Sequence, residues 1–249
     1  MAVRNLKVRY IGSSFGSLWS ILNPVSHILI YGLVFGTFLK FKPDPAVYGT
    51  DKFFIFLVCG LIPWQFFVQT VFEAPSLILS NANLVKKSVG FPAEILPIVS
   101  LLTNIIDHLI GIMIIFSILL LFKIKITFFA ATILIYLIFI CIFALGISWL
   151  LASLNVYLRD IQQFLQLVMM SWFYLTPIFY SVNILPAWVM PIMKWNPMLY
   201  VVEGYRMALL RGQWLPLKNI LYLGLCALLS FSLGGLVFKK LKSGFAEVL

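Results

Sequence analysis

The amino-acid sequence predicts an all-α integral membrane protein with six transmembrane helices. Hydrophobic residues make up 62% of the 249 residues and charged residues only 10%, whereas soluble domains are about half apolar and about a quarter charged. The chain also contains continuous apolar runs of about 20 residues, long enough to cross ~30 Å of hydrocarbon as helices. A transmembrane β-barrel is disfavoured, because its strands give short alternating segments instead of continuous runs.

Each of the six predicted spans is an apolar run that is long enough to cross the membrane. They lie at about 20–39, 53–80, 95–122, 126–154, 162–181 and 219–238. The second and third runs are long enough to extend past the membrane surface. Basic residues precede the first run, as in a signal peptide, but the run is longer than a usual h-region and no small-x-small cleavage site follows it. We therefore expect a retained first span.

Two flanking segments are predicted to lie at the membrane surface. Residues 1–18 are basic, and their apolar residues recur at near-helical spacing, which suits an interfacial helix. A charged flank that only anchors the first span explains the same residues. Residues 182–217 contain four prolines, and the apolar stretch within them is too short to cross. Short re-entrant helices on the extracytoplasmic side fit this segment.

The basic residues do not determine the orientation of the chain. With six spans, nine of the 18 Lys and Arg residues fall on each side, so the positive-inside rule gives no orientation. The basic termini flank their spans closely and favour a cytoplasmic location for both. The formal net charge of +10 favours contact with anionic lipid headgroups, and it would also suit an anionic cargo. The cysteines lie alone in predicted spans and are expected to be packing residues: Cys59, Cys141 and Cys226.

A polar interruption at 81–97, NANLVKKSVGFPAEILP, separates the second and third spans. It carries Lys86, Lys87 and Glu94 together with Gly90 and Pro92, two residues that a continuous helix disfavours. A short element wedged between two spans can transmit a mechanical push to both of them. We therefore predict a cytoplasmic coupling segment at 81–94. The plainer alternative is a pair of ordinary interfacial lysines.

The sequence contains no convincing catalytic or metal site. Residues 12–16 match the G-x-S-x-G pattern of serine hydrolases, and Asp107 and His108 follow in hydrolase order. That pattern requires a strand–turn–helix elbow, whereas here it lies before a membrane helix. His27 and His108 are isolated, and no G-x-x-x-x-G-K-[ST] phosphate loop occurs. We therefore expect no catalytic residues, no metal and no cofactor in this chain.

Short motifs along nearly the whole chain carry a family resemblance. They are 4–10 (RNLKVRY), 16–24 (GSLWSILNP), 81–87 (NANLVKK), 91–92 (FP), 94–97 (EILP), Asp107, 155–157 (NVY), 159–160 (RD), 176–180 (TPIFY), 196–197 (NP) and 203–206 (EGYR). In this order they resemble the membrane-spanning permease of ABC exporters for bacterial surface polysaccharides, the O-antigen and capsule type, and for teichoic acids. Asn5 departs from the family, which usually has an aspartate there, and relatives usually carry more residues before this first motif.

The resemblance implies a permease of the bacterial inner membrane, with both termini cytoplasmic. It also implies a homodimer, a separate ABC ATPase that binds ATP and Mg²⁺, and a lipid-linked polysaccharide substrate; nucleic acid is not an expected partner. The residues expected to couple to the ATPase are Asn83, Leu84, Lys86, Lys87, Phe91, Pro92, Arg159 and Asp160.

Two further groups of residues are candidates for function. Aromatic rings that line a pore would give a sugar polymer weak stacking sites, although lipid-facing or core positions explain the same rings. The aromatic candidates are Trp64, Phe67, Trp172, Tyr174, Phe179 and Tyr180. Acidic side chains inside spans are expected to face the bundle interior. They are Glu73 and Asp107.

Other transport and enzyme classes fit the sequence less well. The nearest alternative is an ABC permease of the same fold that exports drugs or lipids. A secondary transporter would show repeated halves with broken helices at corresponding positions, and none is evident. A membrane-embedded glycosyl or phosphoglycosyl transferase would need clustered catalytic residues, whereas the eight acidic residues are scattered.

Overall fold

The computed structural model describes residues 16–87 and 91–249, and the regular structure within them is helical. The prediction of an all-α fold is therefore confirmed. Most of the predicted interfacial segment, 1–18, lies outside the described residues. Its last three residues, Gly16–Leu18, form a 3₁₀ turn that leads into the first long helix.

The α-helices of the described residues are numbered in chain order. They are α1 Trp19–Tyr31, α2 Pro45–Tyr48, α3 Phe53–Glu73, α4 Ser76–Ser80, α5 Ala82–Lys87, α6 Ile95–Leu121, α7 Ile133–Tyr157, α8 Ile161–Leu175, α9 Met190–Met193, α10 Pro197–Arg206, α11 Leu217–Lys242 and α12 Phe245–Val248. A π-helical stretch extends α1 over Gly32–Phe38, and another extends α10 over Met207–Arg211.

Five helical stretches of the described chain are long and apolar enough to cross a membrane. They are Ile21–Phe38, Phe53–Glu73, Ile95–Leu121, Phe128–Tyr157 and Leu217–Lys242. Four of them agree with predicted spans to within a few residues at each end. The second ends at Glu73 instead of residue 80, because Pro75 lacks the N–H that would continue the helical hydrogen bonds.

The remaining predicted span, 162–181, forms only α8, a helix of 15 residues. At ~1.5 Å per residue α8 is about 22 Å long, which is short of the ~30 Å hydrocarbon core. Thr176 ends it in an extended conformation, with φ −98° and ψ 130°. Residues that precede a proline favour this conformation, and Pro177 follows. The total of six spans therefore stays a prediction.

The long helices run back and forth between two ends of the bundle. One end of the bundle, which we call the α5 end, contains α5, the junction of α7 with α8, and the C-terminus of α11. Lys242 contacts Glu94 there. The other, which we call the α2 end, holds α2 and the segment 182–216, and Tyr48 contacts Glu203 there. The segment contains the short helices α9 and α10; that they enter the membrane stays a prediction.

Helix α3 is the centre of the bundle. In the most apolar part of α3, 78% of the residues are buried, against 28% in the corresponding part of α6 and 17% in that of α11. Side chains of α3 are apolar on nearly every face, and the residues of α10 that pack against it are also buried, among them Val201, Val202 and Tyr205. Helix α3, which precedes the polar interruption, and helix α10, which precedes the last span, are thus joined through one core.

Helices α7 and α11 approach each other closely because glycines remove the side chains between them. A Cβ added at Gly234 would overlap the carbonyl oxygen of Gly146, and one added at Gly146 would overlap the backbone of Ser230. The Ser230 hydroxyl donates to the Phe143 carbonyl oxygen at 2.9 Å. Small residues of this kind allow membrane helices to pack backbone to backbone. The two helices therefore form one closely packed pair.

Candidate functional site: the α5 segment and two polar clusters

Helix α5 presents three of the predicted coupling residues outward. Its first turn is fixed by Asn81, whose carbonyl oxygen accepts from the backbone N–H groups of Leu84 and Val85 at 2.9 and 3.2 Å. Asn83, Leu84 and Lys86 are exposed, Leu84 by 47%. A protruding leucine flanked by an amide and a lysine is suited to contact with another protein. Lys87 is the last residue of the helix.

The opposite face of α5 rests on a small apolar core that we call the α5-end cluster. Its buried members come from α4, α7, α11, α12 and the segment before α6: Ile78, Ala93, Ala152, Val156, Phe238 and Phe245. Val85 and Phe91 pack against this cluster and are half-buried. Through these contacts, α5 and the segment before α6 are joined to the ends of α7 and α11.

Polar contacts bind the same region to the long helices. The Lys242 ammonium group donates to Glu94 Oε2 at 2.7 Å, and Trp149 Nε1 donates to the Glu94 carbonyl oxygen at 3.1 Å. Deeper, the buried Asn155 amide donates to the Pro75 carbonyl oxygen at 2.9 Å. Pro75 lies at the break between α3 and α4, so this hydrogen bond stabilises the break.

The other predicted coupling residues lie at the same end. Pro92 is half-buried in the segment that leads into α6. Arg159 and Asp160 are exposed in the short turn between α7 and α8, where the Asp160 carbonyl oxygen accepts from Phe164 N–H at 3.0 Å. The structure thus brings these residues to one end of the bundle. Their contact with an ATPase stays a prediction.

The intramembrane acidic residues lie where α3 meets α6. Glu73 Oε2 accepts hydrogen bonds from the Ser100 hydroxyl at 2.7 Å and from Asn104 Nδ2 at 3.3 Å. Gln69 Nε2 on α3 donates to Asp107 Oδ2 on α6 at 3.5 Å. Both carboxyl groups therefore connect neighbouring spans, which is how charged groups inside a membrane are usually accommodated.

Asp107 also lines a polar cleft between α1, α3 and α6. The cleft has a volume of about 310 Å³, and Asn23, His27, Gln65 and Gln69 face it together with Asp107. Asn23 and His27 are exposed on α1. Clustered polar side chains at this depth typically mark a hydrated path.

The predicted pore aromatics divide into two groups. Trp64, Phe67 and Trp172 form one ring cluster: the Phe67 and Trp172 ring centroids lie 5.1 Å apart, and Trp64 and Phe67 are almost completely buried. Their rings are therefore core residues in this conformation of the single chain. Phe179 is also buried, whereas Tyr180 is half-buried and Tyr174 is 55% exposed. Whether these rings line a pore stays a prediction.

Arg206 was not predicted from the sequence as a site residue, yet it has the largest fully buried side chain among the described residues. Its Nη1 and Nη2 donate to the carbonyl oxygens of Pro177 and Ile178 at 2.7 and 2.6 Å. Nη1 also donates to Glu203 Oε1 at 2.9 Å. The guanidinium carbon lies 3.5 Å from the Phe56 ring centroid. Arg206 thus fastens the chain after α8 to both α3 and α10.

Neighbouring groups complete this cluster at the α2 end. The Tyr48 hydroxyl donates to Glu203 Oε1 at 3.4 Å and accepts from the Ser181 hydroxyl at 3.3 Å. Burial, followed by the Glu203 carboxylate, raises the pKa of Tyr48, so the hydroxyl stays protonated and can donate. Gly60 leaves room for the guanidinium: a Cβ there would lie 2.8 Å from Arg206 Nη2. The sequence feature that could have revealed this cluster is an arginine three residues after a glutamate within an apolar stretch.

The sequence of the chain matches a known protein family. The model of the ABC-2 type transporter family matches residues 1–210. The chain belongs to this family. Its members are the membrane-spanning subunits of ABC transporters, so membership implies an ABC ATPase as partner and confirms the resemblance found in the sequence. The apolar helices and the family together indicate a multi-pass membrane protein that acts as a transport subunit.

Relatives within the family cover almost the whole chain. The chain is 31% identical to the O-antigen export system permease protein RfbA of Klebsiella pneumoniae over 99% of its own length and 92% of the relative. It is 26% identical to the protein of the same name from Myxococcus xanthus, over 98% and 92%. The polysialic acid transport protein KpsM of Escherichia coli is 24% identical, over 93% and 88%. The first of these matches therefore spans the part of the chain that contains the α5 segment and the Arg206 cluster.

Proposed function

We propose that this chain is the transmembrane subunit of an ABC exporter that moves a surface polysaccharide outward across the bacterial inner membrane. The observation that carries the proposal is the 31% identity, over 99% of the chain, to an O-antigen export permease. The similarity to a polysialic acid transport protein supports a sugar polymer as the substrate class. The polymer would be carried on a polyprenyl lipid, of the O-antigen, capsule or teichoic-acid type.

The α5 segment is the proposed contact with the ATPase. Exposed Leu84 would insert into the partner while Lys86 and Asn83 make polar contacts at its edge. Closure of the ATPase would then push Val85 and Phe91 against the α5-end cluster and so move the ends of α7 and α11. In the proposed arrangement, both termini and α5 lie on the cytoplasmic side. The partner chain holds ATP and Mg²⁺, and the permease chain performs no covalent chemistry.

The proposed assembly is a homodimer with the polymer path at the interface between the two bundles. A single chain has a closely packed centre, because α3 is buried among the other helices. Two copies can separate along a shared axis and form a path that neither copy contains alone. The polar cleft with Asn23, Gln65 and Gln69 supports a hydrated route along α1, since amides exchange hydrogen bonds readily with sugar hydroxyls.

Deletion of the gene, followed by complementation with the wild-type chain, tests the proposed substrate class. Surface polysaccharide and cytoplasmic lipid-linked polymer are quantified in the same cells, together with the susceptibility of the cells to lipophilic drugs. The proposal predicts loss of surface polymer, accumulation of lipid-linked polymer inside and restoration by the wild-type chain. Unchanged surface polymer with increased drug susceptibility would instead favour a drug exporter of the same fold.

A further inference from the structure

A second large cavity lies at the α2 end, away from α5 and from the polar cleft. It has a volume of about 920 Å³ and lies between the segment of α9 and α10 and the start of α11. Cavities of about 300–1,000 Å³ commonly bind small molecules. Three basic side chains line it, Lys194, Arg211 and Lys218, along with the carboxylate of Glu203. Because that carboxylate is already paired with Arg206, the cavity is left with an excess of positive charge.

The walls of this cavity are apolar and held in place. The Tyr200 hydroxyl donates to the Lys194 carbonyl oxygen at 2.9 Å, and the Tyr222 hydroxyl donates to the Trp195 carbonyl oxygen at 3.0 Å. The two tyrosine rings are in edge contact, with centroids 5.2 Å apart. These contacts fasten the turn after α9 to α11. The cavity is therefore formed before any ligand arrives.

Arg211 is positioned just as firmly. Gly212 follows it in the left-handed conformation, with φ +63°, which ends the π-helical turn sharply. Gln213 N–H donates to the Met207 carbonyl oxygen at 3.1 Å and closes the turn. Gly49 approaches the same turn, since a Cβ there would lie 3.0 Å from the Leu210 carbonyl oxygen. The arginine is exposed, yet its backbone is held in place from two sides.

Exposed tryptophans indicate the depth of the cavity in the membrane. Trp188, Trp195 and Trp214 lie at the α2 end and are 74%, 77% and 50% exposed. Tryptophans concentrate at the boundary between hydrocarbon and lipid headgroups. Lys194 adjoins one of them in sequence, and Lys218 stands in the first turn of α11. The basic side chains therefore lie at headgroup level, where the apolar walls can reach the hydrocarbon.

We propose that this cavity binds an anionic amphiphile, whose headgroup carries a phosphate that no cationic group of the same molecule neutralises. Arg and Lys side chains form strong, charge-assisted hydrogen bonds to phosphate oxygens, and Tyr200, Tyr222 and Leu199 offer an apolar surface to an acyl or prenyl chain. An anionic phosphoglycerolipid and a prenyl phosphate share this chemistry. The site does not depend on which substrate is exported.

The full-length chain, purified with its ATPase in a neutral detergent, tests the site by native mass spectrometry. Three short-chain probes are compared: dihexanoyl phosphatidylglycerol, dihexanoyl phosphatidylcholine and farnesyl phosphate. The proposal predicts retention of the anionic probes and not of phosphatidylcholine. Arg211→Gln/Lys218→Gln should weaken retention roughly 25-fold, since each basic group near an anionic headgroup contributes roughly fivefold. Lys123→Gln/Lys125→Gln, which removes two exposed charges from the same end outside the cavity, should not change it.

The three probes and a competition with inorganic phosphate separate the possible sources of the ligand. Retention of phosphatidylglycerol alone assigns the site to a membrane lipid, and retention of farnesyl phosphate alone assigns it to a prenyl carrier. Retention of both supports a general phosphate-amphiphile site. Equal retention of phosphatidylcholine, or equal weakening by the control variant, would overturn the proposal. Displacement of the lipids by inorganic phosphate at the same concentration would also overturn it, because the apolar walls would then contribute nothing.

Discussion

The ammonium group of Lys242, at the end of α11, lies 2.7 Å from Oε2 of Glu94, the residue that precedes α6. The contact spans 148 positions in sequence and joins the last long helix to the segment that leads from α5 into α6. Burial alone would raise the pKa of the Glu94 carboxyl, but the hydrogen bond and positive charge of Lys242 outweigh it and hold the pKa below its usual range. The ion pair and the α5-end cluster therefore act on the same segment.

A double-mutant cycle of Glu94→Gln and Lys242→Gln should show a small coupling free energy of unfolding. Both side chains are more than a third exposed, so about 0.2–1 kcal/mol is expected. Because the pKa of Glu94 is lower in the folded state than in the unfolded state, the ion pair gives its full stabilisation above the ordinary pKa, near 4.3. The coupling free energy is lost as the pH falls through the folded-state pKa. Thermal unfolding at several pH values measures it. Lys239→Gln paired with Glu94→Gln is the control and should give no coupling.

A cysteine at Leu84 should crosslink to the ATPase, because Leu84 is exposed on the proposed contact face. The background carries alanine in place of Cys59, Cys141 and Cys226, which removes the native thiols. Lys123→Cys, exposed at the α2 end, is the matched control and should not crosslink. If Leu84→Cys reacted instead with impermeant reagents added outside intact cells, both the orientation and the coupling role of α5 would be wrong.

Removal of the Arg206 charge should destabilise the protein strongly. Arg206→Met leaves the Pro177 and Ile178 carbonyl oxygens without their donor and the Glu203 carboxylate without its cation. Breaking a buried ion pair costs about 3–5 kcal/mol. Gly60→Ala should also destabilise, because its methyl group would push the guanidinium. Yield and thermal unfolding of the purified complex measure both. Lys123→Gln, on the exposed surface, should stay within about 0.5 kcal/mol of wild type; an equal loss there would refute the assignment.

Asp107→Asn should preserve expression and most export, because the amide keeps the hydrogen-bonding shape that meets Gln69. Asp107→Leu should lower the yield of the complex by leaving a polar partner unsatisfied, at about 1–3 kcal/mol. Complex yield and surface polymer are measured in parallel. If Asp107→Asn assembled and hydrolysed ATP normally but failed to export, the ionised carboxylate would itself be functional.

The spans could be predicted from sequence because the membrane requires a minimum length of apolar helix, which composition alone reveals. The end of α8 was missed because the apolar run continues through Thr176 and Pro177, where backbone geometry and not hydropathy ends the helix. The burial of Trp64 and Phe67 could not be predicted either. Helix α3 is apolar on nearly every face, so its sequence does not show which face points into the bundle.

Part of the candidate site could likewise be predicted from the sequence, and part could not. The α5 segment could be predicted because charge, Gly90 and Pro92 mark a local interruption between spans. The partners of Arg206 could not, because backbone carbonyl oxygens some thirty residues away leave no sign in side-chain chemistry. Pro177 and Ile178 become its partners only when the chain after α8 folds back on α10.

Reconstitution tests the central claim most directly. The permease and its ATPase are placed in vesicles with the ATPase outside, and the inward transfer of a labelled lipid-linked polymer is measured by its protection from an added glycosidase. The account predicts transfer that requires ATP and that Leu84→Asp abolishes, while the isolated ATPase still hydrolyses ATP. A complex that hydrolyses ATP normally but leaves the polymer fully accessible would contradict the account.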